Sequence, residues 1–171
     1  MSNFKEDLAK VKAFAFDVDG VLSGQLVPLH PNGEPMRTVN IKDGYALQYA
    51  VKQGYPIAII TGANTQAVKN RFLNLGIEDV YMASSIKIID FEHWLSKRGL
   101  SAENVMYMGD DIPDYPVMKI VGVPVCPADA AEEIKEISKY ISHRNGGEGC
   151  VRDVVEQVLR LNNQWAKDFI W

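Results

Sequence analysis

The chain has 171 residues, 47% of them apolar, and a formal net charge of −4 at pH 7. A chain of this length buries about 70% of its extended surface, enough for a core without staples, and residues 1–171 read as a single domain. Basic residues are dispersed, which argues against nucleic acid as a partner. No apolar run approaches the roughly 20 residues of a membrane helix, and no apolar signal core follows Met1, so the expected location is cytoplasmic, away from membranes. Cys126 and Cys150 form no Cys-x-x-Cys pair and read as small buried hydrophobes.

Strand-like and helix-like runs alternate, which predicts an α/β fold with a doubly wound, mainly parallel sheet. The first strand, Ala13–Phe16, breaks straight into Asp17-Val18-Asp19-Gly20. Residues 26–29 and 36–40, joined through an Asn32-Gly33 turn, read as a β-hairpin flap over about 25–40. A helix from Gly44 to Gln53 follows, then a strand from Pro56 to Thr61. The next helix, Thr65 to Leu75, has Val68, Phe72 and Leu75 on its apolar face. A strand at Val80–Met82, a helix from Lys87 to Arg98 and a strand at Val105–Met108 come next. Pro113 suits the first turn of a short helix after Gly109-Asp110-Asp111. A strand at Val121–Val125, a helix at Ala130–Ile137, a short run at Tyr140-Ile141 and a helix from Gly149 to Leu161 complete the order. Trp165, Phe169 and Trp171 make residues 162–171 an aromatic tail, expected to dock on its own domain or on a neighbouring subunit.

The polar chemistry gathers where strands end. Asp17 and Asp19 follow the first, Thr61-Gly62 the second, and Asp110, Asp111 and Asp114 the fourth, with Lys87 after the third. In a parallel sheet these ends share one edge, where ligands bind. Two carboxylates about 4 Å apart repel by roughly 4 kcal/mol at an effective dielectric of 20, so the acids call for a cation, a shared proton or a wider splay. Phosphoryl transfer fits this set. A carboxylate serves as nucleophile, and a second acid protonates the leaving alkoxide and later deprotonates water. A hard divalent ion on oxygen ligands offsets the charge, while a hydroxyl, backbone N–H groups and a lysine hold the phosphate.

These residues, in this order, resemble the four motifs of the haloacid dehalogenase superfamily, and the match spans nearly the whole chain. The resemblance implies Asp17 as nucleophile and Asp19 as general acid/base, with Thr61, Gly62 and Lys87 on the phosphate. It also implies Mg²⁺ on Asp17, the backbone carbonyl of Asp19 and Asp110, with Asp111 and Asp114 supporting that shell. The dehalogenase branch lacks the acid at the position of Asp19, so a phosphatase is expected. Only 44 residues separate Asp17 from Thr61, and 23 separate Lys87 from Asp110, too few for a cap domain. An open mouth implies a macromolecular substrate or a lid from another subunit.

Asp17-Val-Asp-Gly-Val-Leu, the flap, Lys42-Asp43-Gly44 and Gly146-Gly147-Glu148-Gly149-x-x-Arg152 are similar to the capless phosphatases of 3-deoxy-D-manno-octulosonate 8-phosphate. That group implies a homotetramer whose neighbours close the sites, and a phosphorylated keto-acid sugar of lipopolysaccharide biosynthesis as substrate. Arg71 is the position expected to bind the substrate's distal carboxylate, with Arg152 beside it. The alternative within the group is a nine-carbon, sialic-acid-type keto-acid 9-phosphate. A different class, the phospho-accepting receiver domain, also sets Asp, Thr and Lys around Mg²⁺. Receivers place their acidic pair after the first strand and their phosphorylated Asp after the third, whereas here the nucleophile pattern follows the first strand and Gly109-Asp110-Asp111 the fourth.

Overall fold

The computed structural model describes residues 3–167. Its elements, in chain order, are α1 (Phe4–Leu8), β1 (Ala13–Phe16), α2 (Ile41–Lys52), β2 (Ile57–Ile60), α3 (Gln66–Asn74), β3 (Asp79–Tyr81) and α4 (Lys87–Arg98). Then come β4 (Val105–Met108), α5 (Tyr115–Met118), β5 (Val123–Cys126), α6 (Glu132–Ile137), β6 (Tyr140–Ile141) and α7 (Cys150–Leu161). The strands form one parallel sheet in the order β3-β2-β1-β4-β5-β6. Receiver-type folds run 2-1-3-4-5, so this order sets that alternative aside. The direction of winding reverses between β1 and β4, in register from Ala13↔Val105 to Phe16↔Met108.

Side chains alternate across the strands and divide the core in two. Phe14 and Phe16 of β1 face a layer built with α2, α3 and α7, whereas Ala13 and Ala15 face one with Phe91 and Trp94 of α4 and Val117 and Met118 of α5. Phe14, Phe16, Phe91 and Trp94 are fully buried, and each large side chain contributes on the order of 2 kcal/mol through burial. α7 turns its expected Val151, Val154, Val155, Val158 and Leu159 face onto the sheet.

β3, β5 and α6 begin one or two residues from where they were expected, and three other local readings shift for identifiable reasons. α2 begins at Ile41 rather than Gly44, because the Asn40 side chain accepts from the N–H groups of Lys42 and Asp43 and caps the helix there. α1 was not expected; Asn3 caps its five residues, too short a run for periodicity to mark. The flap turns back on itself through one antiparallel bridge, Leu29↔Pro35, with the Met36 N–H donating to the Pro28 carbonyl and the His30 N–H to the Glu34 carbonyl. Pro28, Pro31 and Pro35 lack the donors that would extend this into a ladder.

The amino ends of α2 and α7 are joined by one side chain. Asp43 Oδ1 accepts from the Arg152 N–H at 2.7 Å, while Oδ2 is buried with no hydrogen-bond partner among the described residues. Burial pushes the carboxyl up to about 6, against partial opposition from the backbone N–H groups of Arg152 and Gly149. With the folded value above the unfolded one, this group's contribution to stability is complete below about 3.8 and is lost as pH rises through about 6. Asp43→Asn keeps an acceptor without the charge. It should gain on the wild type by on the order of 2 kcal/mol between pH 4 and pH 7. Urea unfolding of both proteins at the two pH values measures this; a gap that does not change with pH refutes it.

Candidate active site

β1 and β4 are neighbours in register, and paired strands lie about 4.8 Å apart, so whatever follows their carboxyl ends is brought together. Asp17 follows β1 directly, and its N–H donates to the Met108 carbonyl at 3.1 Å. Asp110 stands two residues beyond β4. One carboxylate oxygen each from Asp17, Asp110 and Asp114 lies within 4.8 Å of the others.

Lys87, the first residue of α4, reaches into this cluster. Its Nζ is 2.9 Å from Asp17 Oδ1 and 2.7 Å from Asp114 Oδ1. Asp17 Oδ1 also accepts from the Val18 N–H at 2.6 Å. Asp114 is saturated: Oδ1 takes Lys87 and the Tyr107 hydroxyl (2.6 Å), and Oδ2 takes the N–H groups of Asp110 (3.1 Å) and Asp111 (3.4 Å). It orients the loop after β4 and pins the lysine. Asp111 accepts from the Ile112 N–H and caps a 3₁₀ turn over Ile112–Asp114.

Three carboxylates crowd together with one ammonium that contacts two of them, an excess of negative charge in a dry place. Burial, then the neighbouring Asp114, raises the Asp17 carboxyl well above the usual range against the pull of Lys87. Burial, then Asp17, does the same to Asp110. Burial works to lower the Lys87 ammonium, but Asp17 and Asp114 outweigh it and hold it above its ordinary value. A divalent cation among these oxygens reverses the strain on the carboxylates. The backbone is shaped for it. Gly20 has a φ of +82°, and a Cβ there would overlap the Asp110 carboxylate. All-oxygen donors of this charge suit Mg²⁺, with Asp17 and Asp110 free to ligate and Asp114 already taken up.

A cavity of about 770 Å³ opens over the cluster, lined by Asp17, Asp19, Gly62, Lys87, Asp110, Asp111 and Asp114 among others. Thr61 is buried beside it, its hydroxyl oxygen accepting from the Ala63 N–H at 3.0 Å and its carbonyl from the Ser84 N–H at 2.9 Å. The sheet edge therefore gathers the expected carboxylates, glycine and lysine into one cavity, with the threonine buried next to it.

The comparisons with known proteins agree with this geometry. Residues 79–153 match the model of the haloacid dehalogenase-like hydrolases. The chain is 40% identical over 149 residues to the 3-deoxy-D-manno-octulosonate 8-phosphate phosphatase of Salmonella typhi, covering 87% of this chain and 79% of that one. The chain belongs to this phosphatase family of haloacid dehalogenase-like hydrolases. Solved members superpose closely. The Yersinia pestis phosphatase matches with a TM-score of 0.91 at 31% identity, covering 95% of this chain and 88% of that one. The Moraxella catarrhalis phosphatase, in complex with magnesium, phosphate and the KDO molecule, gives 0.88 at 30% identity, covering 94% and 92%.

Two residues expected at the family's substrate site stand apart from the acidic cavity. Arg71 lies against Gly44 and lines a second cavity of about 310 Å³ beneath the flap. Arg152 stacks over Trp165 at 5.2 Å and Tyr45 at 5.9 Å, pairs with Glu156 at 3.0 Å, and lines a third cavity with Asn40 and Lys42. The glycine-rich turn is a packing device: a Cβ at Gly146 would overlap the Gly20 carbonyl, so the turn presses backbone to backbone on the loop that carries Asp19. Trp165 rests on Tyr45 and Tyr49 of its own chain, while Phe169 and Trp171 lie outside the described residues.

Sequence reading missed Tyr107 and Arg37. Tyr107 looks like an ordinary strand residue, and only its hydroxyl on Asp114 gives it a role. Arg37 donates from Nε and Nη2 to both oxygens of Asp19, at 2.8 and 3.0 Å. No motif or spacing marks it, because a loop rather than a repeat period delivers it there.

If the cluster holds Mg²⁺, saturating ion should stabilise the fold. At one hundred times the dissociation constant the gain is about 2.7 kcal/mol, or roughly 5–10 °C in melting temperature for a chain of this size. Asp110→Asn should lose most of that gain. Thermal melts with and without Mg²⁺ test it; an equal gain in the variant places the ion elsewhere.

Proposed function

We propose that the protein is a Mg²⁺-dependent phosphatase that hydrolyses 3-deoxy-D-manno-octulosonate 8-phosphate to the free sugar acid and phosphate. The strongest support is the buried convergence of Asp17, Asp110 and Lys87 at the β1–β4 edge in a chain 40% identical to a phosphatase of that substrate. In a cell that makes lipopolysaccharide, this reaction supplies its keto-deoxy sugar acid, and we place it in the cytoplasm.

Asp17 is the nucleophile. Val18 and Lys87 hold its Oδ1 and fix the carboxylate for in-line attack. An aspartyl-phosphate forms on it, and water then releases the phosphate. Asp19, half-exposed at the mouth, gives a proton to the departing sugar oxygen and takes one from the attacking water. Lys87, the Thr61 hydroxyl and the backbone at Gly62 receive the phosphate oxygens. Asp17, the Asp19 carbonyl and Asp110 hold Mg²⁺, which when bound supplies the positive charge that lets a phosphate dianion approach a carboxylate. Asp111 and Asp114 orient that shell. Arg71 receives the substrate's distal carboxylate in the second cavity, which Arg37 also lines, and Arg152 adds positive field from the third.

We infer that residues 1–171 act as one domain without a cap of its own, and that the active form is a homotetramer. Leu26 is 95% exposed and Leu29 70% exposed on the flap, apolar surface that a neighbouring subunit would cover while closing the mouth.

Asp17→Asn should abolish phosphoenzyme and lower turnover by more than a thousandfold, and Asp19→Asn should slow both formation and hydrolysis of the intermediate. Rapid-quench trapping of phosphoenzyme tests both; full turnover by the Asp17 variant defeats the mechanism. Parallel assays of the eight-carbon 8-phosphate and a nine-carbon keto-acid 9-phosphate test the substrate. Tenfold preference for the nine-carbon ester, only about 1.4 kcal/mol in transition-state binding, would reassign it.

A further inference from the structure

The Arg37–Asp19 pair has a consequence for how the site selects its substrate. Both oxygens of the Asp19 carboxylate accept from one guanidinium, a bidentate pair that fixes the carboxylate on the flap, so it can turn to a leaving group only when the pair opens. The pair is not an incidental surface contact. The Arg37 side chain is only 11% exposed, and its position is built into the flap by the next residue. The Thr38 N–H donates to Ser23 Oγ at 2.9 Å, the two hydroxyls are 3.2 Å apart, and the Gly24 N–H donates to Thr38 Oγ1 at 3.1 Å. That clamp fastens the returning arm of the flap to the loop that follows Asp19, while the far end of the flap stays exposed.

Arg37 also stands at a boundary. It lines the second cavity with Arg71, whereas Asp19 lines the acidic one, and Pro35 lines both. The guanidinium can therefore turn from Asp19 towards an anion between the two cavities by rotating its own side chain, without moving the clamped backbone. A second carboxylate is the natural exchange partner, since one bidentate guanidinium–carboxylate pair replaces another and charge is conserved.

We propose that Arg37 is a substrate-released latch on Asp19: it holds the acid/base until the carboxylate of a keto-acid sugar phosphate takes the guanidinium over. This rests on the phosphatase reading above and supplies it with a source of selectivity. A phosphate ester without a carboxylate must break the pair with nothing to replace it. The covalent chemistry is unchanged. Once released, Asp19 takes a proton from solvent, passes it to the sugar oxygen as the O–P bond breaks, and recovers one from the water that attacks the aspartyl-phosphate.

The test compares wild type, Arg37→Ala and Arg37→Lys with Mg²⁺ on two primary alkyl phosphates, the eight-carbon keto-acid 8-phosphate and a neutral hexose 6-phosphate. The latch requires effects of opposite sign. Arg37→Ala should lower kcat/KM for the keto acid by thirtyfold or more, mainly through KM, and raise kcat for the hexose ester severalfold. Arg37→Lys should recover part of the keto-acid KM. In the wild type, millimolar pyruvate should stimulate hexose 6-phosphate turnover by engaging Arg37 in trans, and in Arg37→Ala it should not. Losses of similar size on both esters, or pyruvate stimulation that survives in Arg37→Ala, overturn the latch. Failure of the wild type to hydrolyse any keto-acid phosphate would instead overturn the substrate reading. The latch would then stand or fall on the hexose 6-phosphate and pyruvate measurements alone.

Discussion

Like charges held together out of water dominate this molecule. Parallel pairing of β1 with β4 forces Asp17 and Asp110 towards one point, and Asp114 closes on them from the loop beyond. Left alone, such a set would protonate or push the loops apart. Lys87 offsets part of the repulsion from the amino end of α4, with its ammonium between two of the three acids. Tyr107 and two backbone N–H groups satisfy what remains of Asp114. The arrangement is stable enough to fold and still short of positive charge, which is the condition for capturing a divalent ion and then a phosphate ester.

Much of the surrounding architecture serves that edge. The reversal of winding between β1 and β4 opens the crevice in which α/β sheets bind ligands. Gly20 lets the first loop pass close to Asp110. The glycine-rich turn before α7 presses on the same loop from behind, its Gly147 N–H donating to the Val21 carbonyl at 2.8 Å. Asp43 ties that turn's helix to α2, and the burial that unsettles its carboxyl reflects how tightly the two helix ends meet. The flap is different in kind. Clamped at Thr38 and exposed at Leu26 and Leu29, it brings a guanidinium to the acid/base at one end and leaves apolar surface at the other.

Most of the framework was legible in the residue order. β4 and α4 fall where the pattern set them, because a four-residue apolar run flanked by polar residues and a twelve-residue amphipathic stretch closed by Gly99 each leave few alternatives. Boundaries moved where a side-chain cap outweighed periodicity, as Asn40 did for α2. The carboxylate and lysine set was readable because strand ends converge in any parallel sheet, so position along the chain translates into position in space.

Sequence by itself determined the winding of the sheet, the acids and lysine at its edge and the chemistry open to them, since these follow from local periodicity and from a topology that admits one working face. Tertiary structure alone decided which groups answer one another: Tyr107 on Asp114, Arg37 on Asp19, and Arg71 and Arg152 in cavities beside the acidic one. Those pairings depend on loop paths and on side-chain directions, across seven residues for Tyr107 and Asp114 and eighteen for Arg37 and Asp19. No local rule of spacing encodes them, because they are settled only when the whole chain packs.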